Sequence, residues 1–434
     1  MGPFATGILG CLLMMVFFAL GMPIGFTLGI VGFLGLFYVI GLSAALSTIA
    51  LKFYASVSDY NFTLLPLFIL MGAFANVSGM SRDLFETADK WLRRLPGGIC
   101  VATIAGCAGF AAVCGSNVAT SATMGTVALP EMKRLKYDDS LATGTVASAG
   151  TLGFLIPPSV GFVVYGILAE QSIGKLLVSG ILPGILMALI FVGIVVVQVE
   201  LNPAMAPRDP QRVTWKEKLL SLRNVWSVLV TFVLVMGGIW LGYFTPTEAG
   251  SVGAAALFLI AIIRGKLSRA SFSKALKETI QTTSMIFIII MGTFIFSDFL
   301  AVSELPLALA SWITSLGVSR YLVLAFMVGV MLILGCLVDC VPMLMISMPI
   351  LFPISVKLGF NPIWFGVLCV LMMNAALLTP PVGLCIYTVA GLSKGTPITT
   401  VFRGSMPFLV GILVVSLLLV FFPDLALFLP GLMK

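Results

Sequence analysis

Apolar runs long enough to cross a bilayer recur along the whole 434-residue chain, and a run such as ILPGILMALIFVGIVVVQV at 181 to 199 carries no charged side chain. A helix needs about 20 apolar residues to span the hydrocarbon core, whereas a barrel strand shows about ten of alternating character. The runs here do not alternate, so the expected fold class is an all-α polytopic membrane protein. Composition agrees: 60% of residues are hydrophobic and 9% charged, against about 25% charged in soluble domains, and the mean hydropathy is +1.15. Nucleic-acid binding and soluble enzymology are excluded on that ground. The net charge of +7 is the kind of excess that sits in cytoplasmic loops, where it orients a chain and names no partner. The first apolar run has no basic leader and no small-residue cleavage site, and it leads straight into GMPIGFTLGIVGFLGLF. It reads as a first span, not a signal peptide.

The chain contains no histidine, which removes the commonest metal ligand, general base and proton relay together. Zinc sites and catalytic triads are not expected. Eight cysteines, among them Cys107, Cys114, Cys336 and Cys340, are scattered singly through apolar segments with no CxxC pair. Their expected role is that of small buried hydrophobes.

Proline reveals an internal duplication. Pro23, Pro130, Pro157 and Pro158 each have a proline 223 residues later, at Pro246, Pro353, Pro380 and Pro381, where chance gives about 0.6 such matches. LIPPSVG at 155 to 161 parallels LLTPPVG at 377 to 383, and MGAF at 71 to 74 parallels MGTF at 291 to 294. The expected organisation is a first repeat over 1 to 200, a cytoplasmic linker over 201 to 224, and a second repeat over 225 to 434. Each repeat holds two spans around its first proline, a third with the MG(A/T)F motif, a polar-centred stretch (97 to 132 or 321 to 356), and two further spans. Pro23 either separates its two spans or kinks one helix.

Each polar-centred stretch is two full spans or a re-entrant hairpin, and charge decides between them. Arg82, Lys90, Arg93 and Arg94 precede the first stretch and Lys133, Arg134 and Lys136 follow it. Both flanks therefore face the cytoplasm, and a hairpin follows. The second stretch is flanked only by Arg320 and Lys357, so its hairpin enters from outside. Arg264, Lys266, Arg269, Lys274 and Lys277 form a basic loop where the first copy has the nearly uncharged 43 to 60. With Arg208, Arg212, Lys216, Lys218 and Arg223 of the linker and Lys394 and Arg403, 19 of the 24 Lys and Arg lie inside. Lys52, Lys175, Arg320, Lys357 and Lys434 remain outside. This bias predicts two inverted-topology repeats, each of five spans and one re-entrant hairpin, with both chain ends outside.

Four interruptions carry the candidate chemistry: CGSNVATSAT at 114 to 123, TLGFLIPPS at 151 to 159, GCLVDCVP at 335 to 342 and NAALLTPPVG at 374 to 383. A Pro-Pro pair removes two donors and stops a helix, leaving carbonyls that suit a desolvated cation. At the first tip a helix restarts at Ser116 and Asn117, so its N–H groups and positive dipole end face an anion. Ser116 and Pro157 are 41 residues apart, as are Asp339 and Pro380. Each tip thus has a matching broken span, and two related sites near the midplane are expected. The alternative for Ser116, Asn117, Thr120, Ser121 and Thr123 is close helix packing with hydroxyls bonded to their own carbonyls.

Asp339 is the single acidic residue in either tip, and a carboxylate there needs a partner or an ion; the alternative is a helix N-cap. Glu248 and Asp298 are helix-start or interfacial residues, or functional ones. No Lys or Arg falls in the four interruptions, so hydroxyls, amides and helix N-termini would hold an anionic substrate. Without histidine, sodium is the expected coupling ion, bound by carbonyl, Ser, Thr, Asn and Asp oxygens.

The motifs GMPIGFTLGI, PLFILMGAF, GSNVATSATMGTVALPEM, GTLGFLIPPS, FTPTEAGSVGA and NAALLTPPVG cover most of the chain in the order seen in one family. The sequence resembles the large membrane subunit of tripartite ATP-independent periplasmic (TRAP) transporters. The resemblance implies an elevator-type transporter of the bacterial inner membrane that takes up organic acids such as C4-dicarboxylates, sialic acids or sugar acids. It implies sodium sites at Ser116 and Asn117 with Gly153 and Pro157, and at Gly335 and Asp339 with Thr379, Pro381 and Gly383. Substrate contacts would come from Ser116, Asn117, Thr120, Ser159, Asp339 and Thr379. Val118 stands where the family often has Ser or Ala, so substrate identity is not fixed by this motif. Implied partners are a small four-helix membrane subunit, expected as a separate polypeptide, a periplasmic substrate-binding protein, and the lipid bilayer.

The rival function is a stand-alone sodium/divalent-anion symporter of related hairpin architecture that needs no binding protein. An intramembrane enzyme has no histidine pair, paired aspartates or Ser/Lys dyad to support it, and an ion channel suits two broken-helix hairpins less well than alternating access. The topology has a direct test. Single cysteines placed in 43 to 60 and in 264 to 277, in a cysteine-free background, should label from opposite faces of the membrane; labelling from the same face contradicts the inverted arrangement.

Overall fold

The computed structural model describes residues 2–207, 213–315, 317–393 and 395–433, the side chain of Thr314 excepted. Arg208, Arg212, Lys394 and Lys434, counted in the charge pattern above, lie outside the described residues. Regular structure among the described residues is helical throughout. Seven helices are long and apolar enough to cross a bilayer, or nine if each of two bent pairs is one span. Two of the seven, Arg320–Leu337 and Cys340–Lys357, are limbs of a hairpin, so with the bent pairs counted seven of the ten expected spans pass. The shortfall has a local cause: Pro3–Ala19 and Ile24–Ile40 have 17 residues each, about 25 Å of helix, and Pro362–Ala376 is one limb of a helix that resumes at Leu384–Leu392.

Proline and glycine set the ends. Pro3 occupies the first turn of its helix, where its missing N–H is not needed. Pro23 stands as the cap before Ile24, so it separates two helices and does not kink one. Several segments read as loops are helical instead: Leu42–Ser58, Met80–Leu92, Leu305–Ser315, and the stretch from Arg269 onward, which opens the 34-residue helix Arg269–Val302. The linker likewise contains Trp215–Leu222. In the charged segments, charge density does not separate a loop from an amphipathic helix. In Met80–Leu92, Met80 and Phe85 are buried while Arg82 is exposed.

Both polar-centred stretches are helical hairpins. Gly98–Cys114 and Asn117–Arg134 are joined through Gly115 and Ser116; Arg320–Leu337 and Cys340–Lys357 are joined through Val338 and Asp339. These limits lie within two residues of those expected. The two helices of the second hairpin have 18 residues each and pass as spans by length and composition, so length does not separate a hairpin from two crossings.

Lipid is as apolar as leucine, so helices in it associate through close backbone approach. Ile24–Ile40 lays Gly25, Gly29 and Gly32 along Arg269–Val302. A Cβ on Gly25 would lie 2.7 Å from Ile288 Cγ2, and one on Gly32 would lie 2.7 Å from the Phe296 nitrogen. Pro246–Ile263 packs in turn on Leu64–Val77, where a Cβ on Gly250 would meet Leu67 Cβ at 3.3 Å. These four helices form a frame. The hairpins, the broken helices, Ile181–Leu201 and Ile398–Phe421 form a second bundle, in which the backbones of Gly144 and Gly404 adjoin.

Gly32→Ala should therefore destabilise the purified protein by about 1–3 kcal/mol through overpacking. Gly193→Ala, where a Cβ meets nothing within 4 Å, should be neutral or slightly stabilising. Melting temperatures of the two variants check this; equal shifts would contradict the close frame contact.

Candidate functional site

The first hairpin tip is built around its turn. Gly115 has a left-handed φ of +64°, and a Cβ there would lie 2.6 Å from the Pro158 carbonyl oxygen, so both conformation and space favour glycine. Ser116 caps the following helix, its Oγ accepting from the Ala119 N–H at 3.4 Å. Thr120 Oγ1 donates to the Ser116 carbonyl at 2.7 Å. A Cβ on Gly153 would lie 2.8 Å from Ser116 C and 2.9 Å from Asn117 Oδ1. The tip therefore sits against the break that follows Leu155. In that break Pro157, Pro158 and Ser159 are buried, and the Ser159 hydroxyl donates to the Phe154 carbonyl.

Asn117 is 1% exposed. Its Nδ2 donates to Asn374 Oδ1 at 3.0 Å, leaving Asn117 Oδ1 and Asn374 Nδ2 without a hydrogen-bond partner. Asn374 lies in the last turn of Pro362–Ala376, next to the second break. The first tip thus touches broken helices of both halves, a contact the sequence reading missed. The available signal was a lone amide in the apolar run LCVLMMNAALL, which attention to the neighbouring proline pair obscured.

Asp339 caps Cys340–Lys357, accepting from the Cys340 N–H at 2.6 Å. Gly335 of the same hairpin adjoins Ala376, whose Cα would lie 3.2 Å from a Cβ there. Thr379 Oγ1 donates back to the Ala375 carbonyl at 2.7 Å. Pro380 and Pro381 are exposed, unlike Pro157 and Pro158, and Gly383 starts Leu384–Leu392 from a left-handed φ of 44°.

Both tips open on one cavity of about 810 Å³, lined by Ser116, Asn117, Asp339 and Cys340, by Asn76 and Thr123, and by Lys266, Lys274 and Glu278. Two related sites near the midplane, one per repeat, are expected from the sequence; residues of both tips line this one space at the boundary between frame and bundle. Thr120, Gly153, Pro157, Ser159, Gly335, Thr379, Pro381 and Gly383 are not among its lining residues. Asn76, also missed by the sequence reading, accepts from Thr123 Oγ1 at 3.0 Å and so ties the frame helix Leu64–Val77 to the first hairpin. In that helix Gly72 of the MGAF motif adjoins the Cys114 carbonyl.

The electrostatics are asymmetric. Two helix N-termini face the cavity and favour negative charge, yet Asp339 brings a carboxylate to the same place. Lys274 pairs with Glu278 at 3.8 Å. Glu248 and Asp298 do not line the cavity. Glu248 closes a capping box with Thr245, and Asp298 pairs with Lys52 at 3.1 Å.

Residues 11–425 match the family model described as tripartite ATP-independent periplasmic transporter, DctM component. The chain is 35% identical over 405 residues to the C4-dicarboxylate TRAP transporter large permease protein DctM of Pseudomonas aeruginosa, covering 90% of this chain and 93% of that protein. It is 30% identical over 413 residues to the sialic acid TRAP transporter large permease protein SiaM of Vibrio cholerae, covering 95% of each. Among solved structures, the YdaH transporter of Alcanivorax borkumensis is similar in fold, with a TM-score of 0.63 at 15% identity over 88% of this chain and 89% of that one.

The buried amide pair is open to a double-mutant cycle. Asn117→Ala and Asn374→Ala should each lower thermal stability by about 1–3 kcal/mol, because each leaves a buried polar group unmatched. The double variant should lose less than the sum, by about 0.5–3 kcal/mol; strict additivity would mean that the two amides do not act as a pair.

Proposed function

The chain belongs to the DctM component family of tripartite ATP-independent periplasmic transporters, and on that premise we propose that it imports an organic acid anion, delivered by a periplasmic binding protein, by coupling its entry to sodium. The protein is a multi-pass transporter permease of a bacterial membrane and not an enzyme. The substrate belongs with those named for its relatives, C4-dicarboxylates and sialic acid, or with sugar acids of similar charge. The tripartite family description supports a small membrane subunit and a periplasmic binding protein as partners.

One observation carries the reading: two hairpin tips line one cavity, to which Asp339 brings a carboxyl group, while Asn117 Oδ1 is buried against Gly153 without a hydrogen-bond partner. Helix N-termini alone attract an anion, but Asp339 repels it. A hard cation between them resolves the conflict, because oxygen ligands suit it and its charge offsets the carboxylate in a low-dielectric site. Asn117 Oδ1, together with the break at Gly153 and Pro157, is the proposed first sodium site. Asp339 with Gly335 and the break from Thr379 through Pro381 to Gly383 is the second. Ser116 and Asn117 are the proposed direct substrate contacts; Thr120, Ser159 and Thr379 support the backbone around them through their bonds to carbonyls.

Inverted repeats are supported by reciprocal packing, since the second helix of each half lies on the MG(A/T)F helix of the other. An elevator motion of the bundle against the frame is supported by the cavity's position at their boundary. Dependence on a binding protein, and not stand-alone symport, is supported by the family itself.

Sodium titrations of uptake by the reconstituted chain with its small partner and binding protein test the coupling. Asp339→Asn and Asp339→Ala should raise the half-saturating sodium concentration about tenfold or more, the effect of losing about 1.4 kcal/mol or more of ion binding. A purely capping role predicts about 1 kcal/mol less stability with sodium dependence unchanged, and that result would remove Asp339 from the mechanism. Full uptake without binding protein would overturn the tripartite reading.

A further inference from the structure

The linker helix Trp215–Leu222 wears its apolar side outward. Ser221 is buried at 2% exposure and Lys218 is half-buried, while Trp215 is 72%, Leu219 61% and Leu222 44% exposed. At the α-helical repeat these three form one stripe, with Lys216 and Arg223 beside it. A soluble helix has the opposite arrangement.

The helix is held in this orientation. Thr87 Oγ1 donates to the Ser221 carbonyl at 3.0 Å and Trp91 Nε1 to the Lys218 carbonyl at 3.1 Å, fixing the polar side on Met80–Leu92. Thr214 and Glu217 close a capping box. Lys218 Nζ lies over the rings of Trp91 and Trp215 at 5.6 and 5.2 Å. The chain then bends by 44° into the apolar helix that begins at Trp226, where Trp226, Leu229 and Val233 are also exposed. The apolar stripe thus runs on into a surface that faces hydrocarbon.

We propose that Trp215–Leu222 lies flat in the membrane interface and holds anionic phospholipid, with its apolar stripe among the acyl chains and Lys216 and Arg223 at the headgroups. Charge selects this occupant. Lys216 and Arg223 of this helix are exposed, whereas Asp83 is engaged by Arg264 and Asp89 by Arg93, and Glu217 accepts from Thr214 N and Oγ1 at 2.8 Å each. Tryptophan and basic residues around an exposed apolar stripe match a lipid surface of negative charge. This assignment does not depend on sodium coupling.

The test uses the full chain in nanodiscs that contain phosphatidylglycerol or phosphatidylcholine brominated in the acyl chain. The fluorescence difference between wild type and Trp215→Phe isolates Trp215. Brominated phosphatidylglycerol at equal mole fraction should quench that component with several-fold higher efficacy, since each exposed cation contributes a factor of about five at a charged surface. Lys216→Gln with Arg223→Gln, both at exposed positions, should equalise the two lipids. Equal quenching in wild type would overturn headgroup selection. No quenching by either lipid would place water or a protein subunit on the stripe, and would equally overturn the proposal.

Discussion

A helix that stops inside a membrane leaves amide and carbonyl groups that lipid cannot satisfy, so each break must be enclosed by protein or by something the protein binds. This chain has two proline-paired breaks and two hairpin tips, and the structure gathers them around one interior region. The first break is enclosed: its prolines are buried and Gly153 and Gly115 let the first tip rest directly on it. The second is more open, with Pro380 and Pro381 exposed. The buried Asn117–Asn374 contact connects the first tip to the helix that precedes this second break.

Enclosure of that kind requires a stiff surround. The frame obtains it from glycine stripes that let Ile24–Ile40 and Arg269–Val302 approach backbone to backbone. The bundle has fewer such contacts with the frame, and Thr123 with Asn76 is one polar tie across the boundary. A cavity of about 810 Å³ lies at that boundary, with Asp339 in its lining, which is the placement the proposed elevator transport uses.

Much of this was legible in the amino-acid order. The 223-residue proline offset located both breaks, and the charges around 82 to 94 and 133 to 136 marked the first hairpin. Asp339 stood out because a carboxylate in an apolar run is costly. What could not be read was contact between halves: nothing local pairs Asn117 with Asn374, or Thr123 with Asn76, because those partners meet only after the frame and bundle assemble. Charge density does not distinguish a loop from the polar side of an amphipathic helix. Met80–Leu92 and Trp215–Leu222 are such helices. The hydroxyls of Thr120, Ser159 and Thr379 donate to nearby carbonyls, bonds set by local backbone geometry that leave each oxygen's lone pairs in place.

The central claim is that each of the two tips contributes to a sodium site. Direct binding of radiolabelled sodium to the purified chain in nanodiscs, without substrate or partner proteins, measures it. The account predicts saturable binding that unlabelled sodium displaces and potassium does not, and that is lost when Asn117→Ala and Asp339→Ala are combined in a chain that still melts cooperatively. Saturable binding that survives in that folded double variant, or none in the wild type, would contradict it.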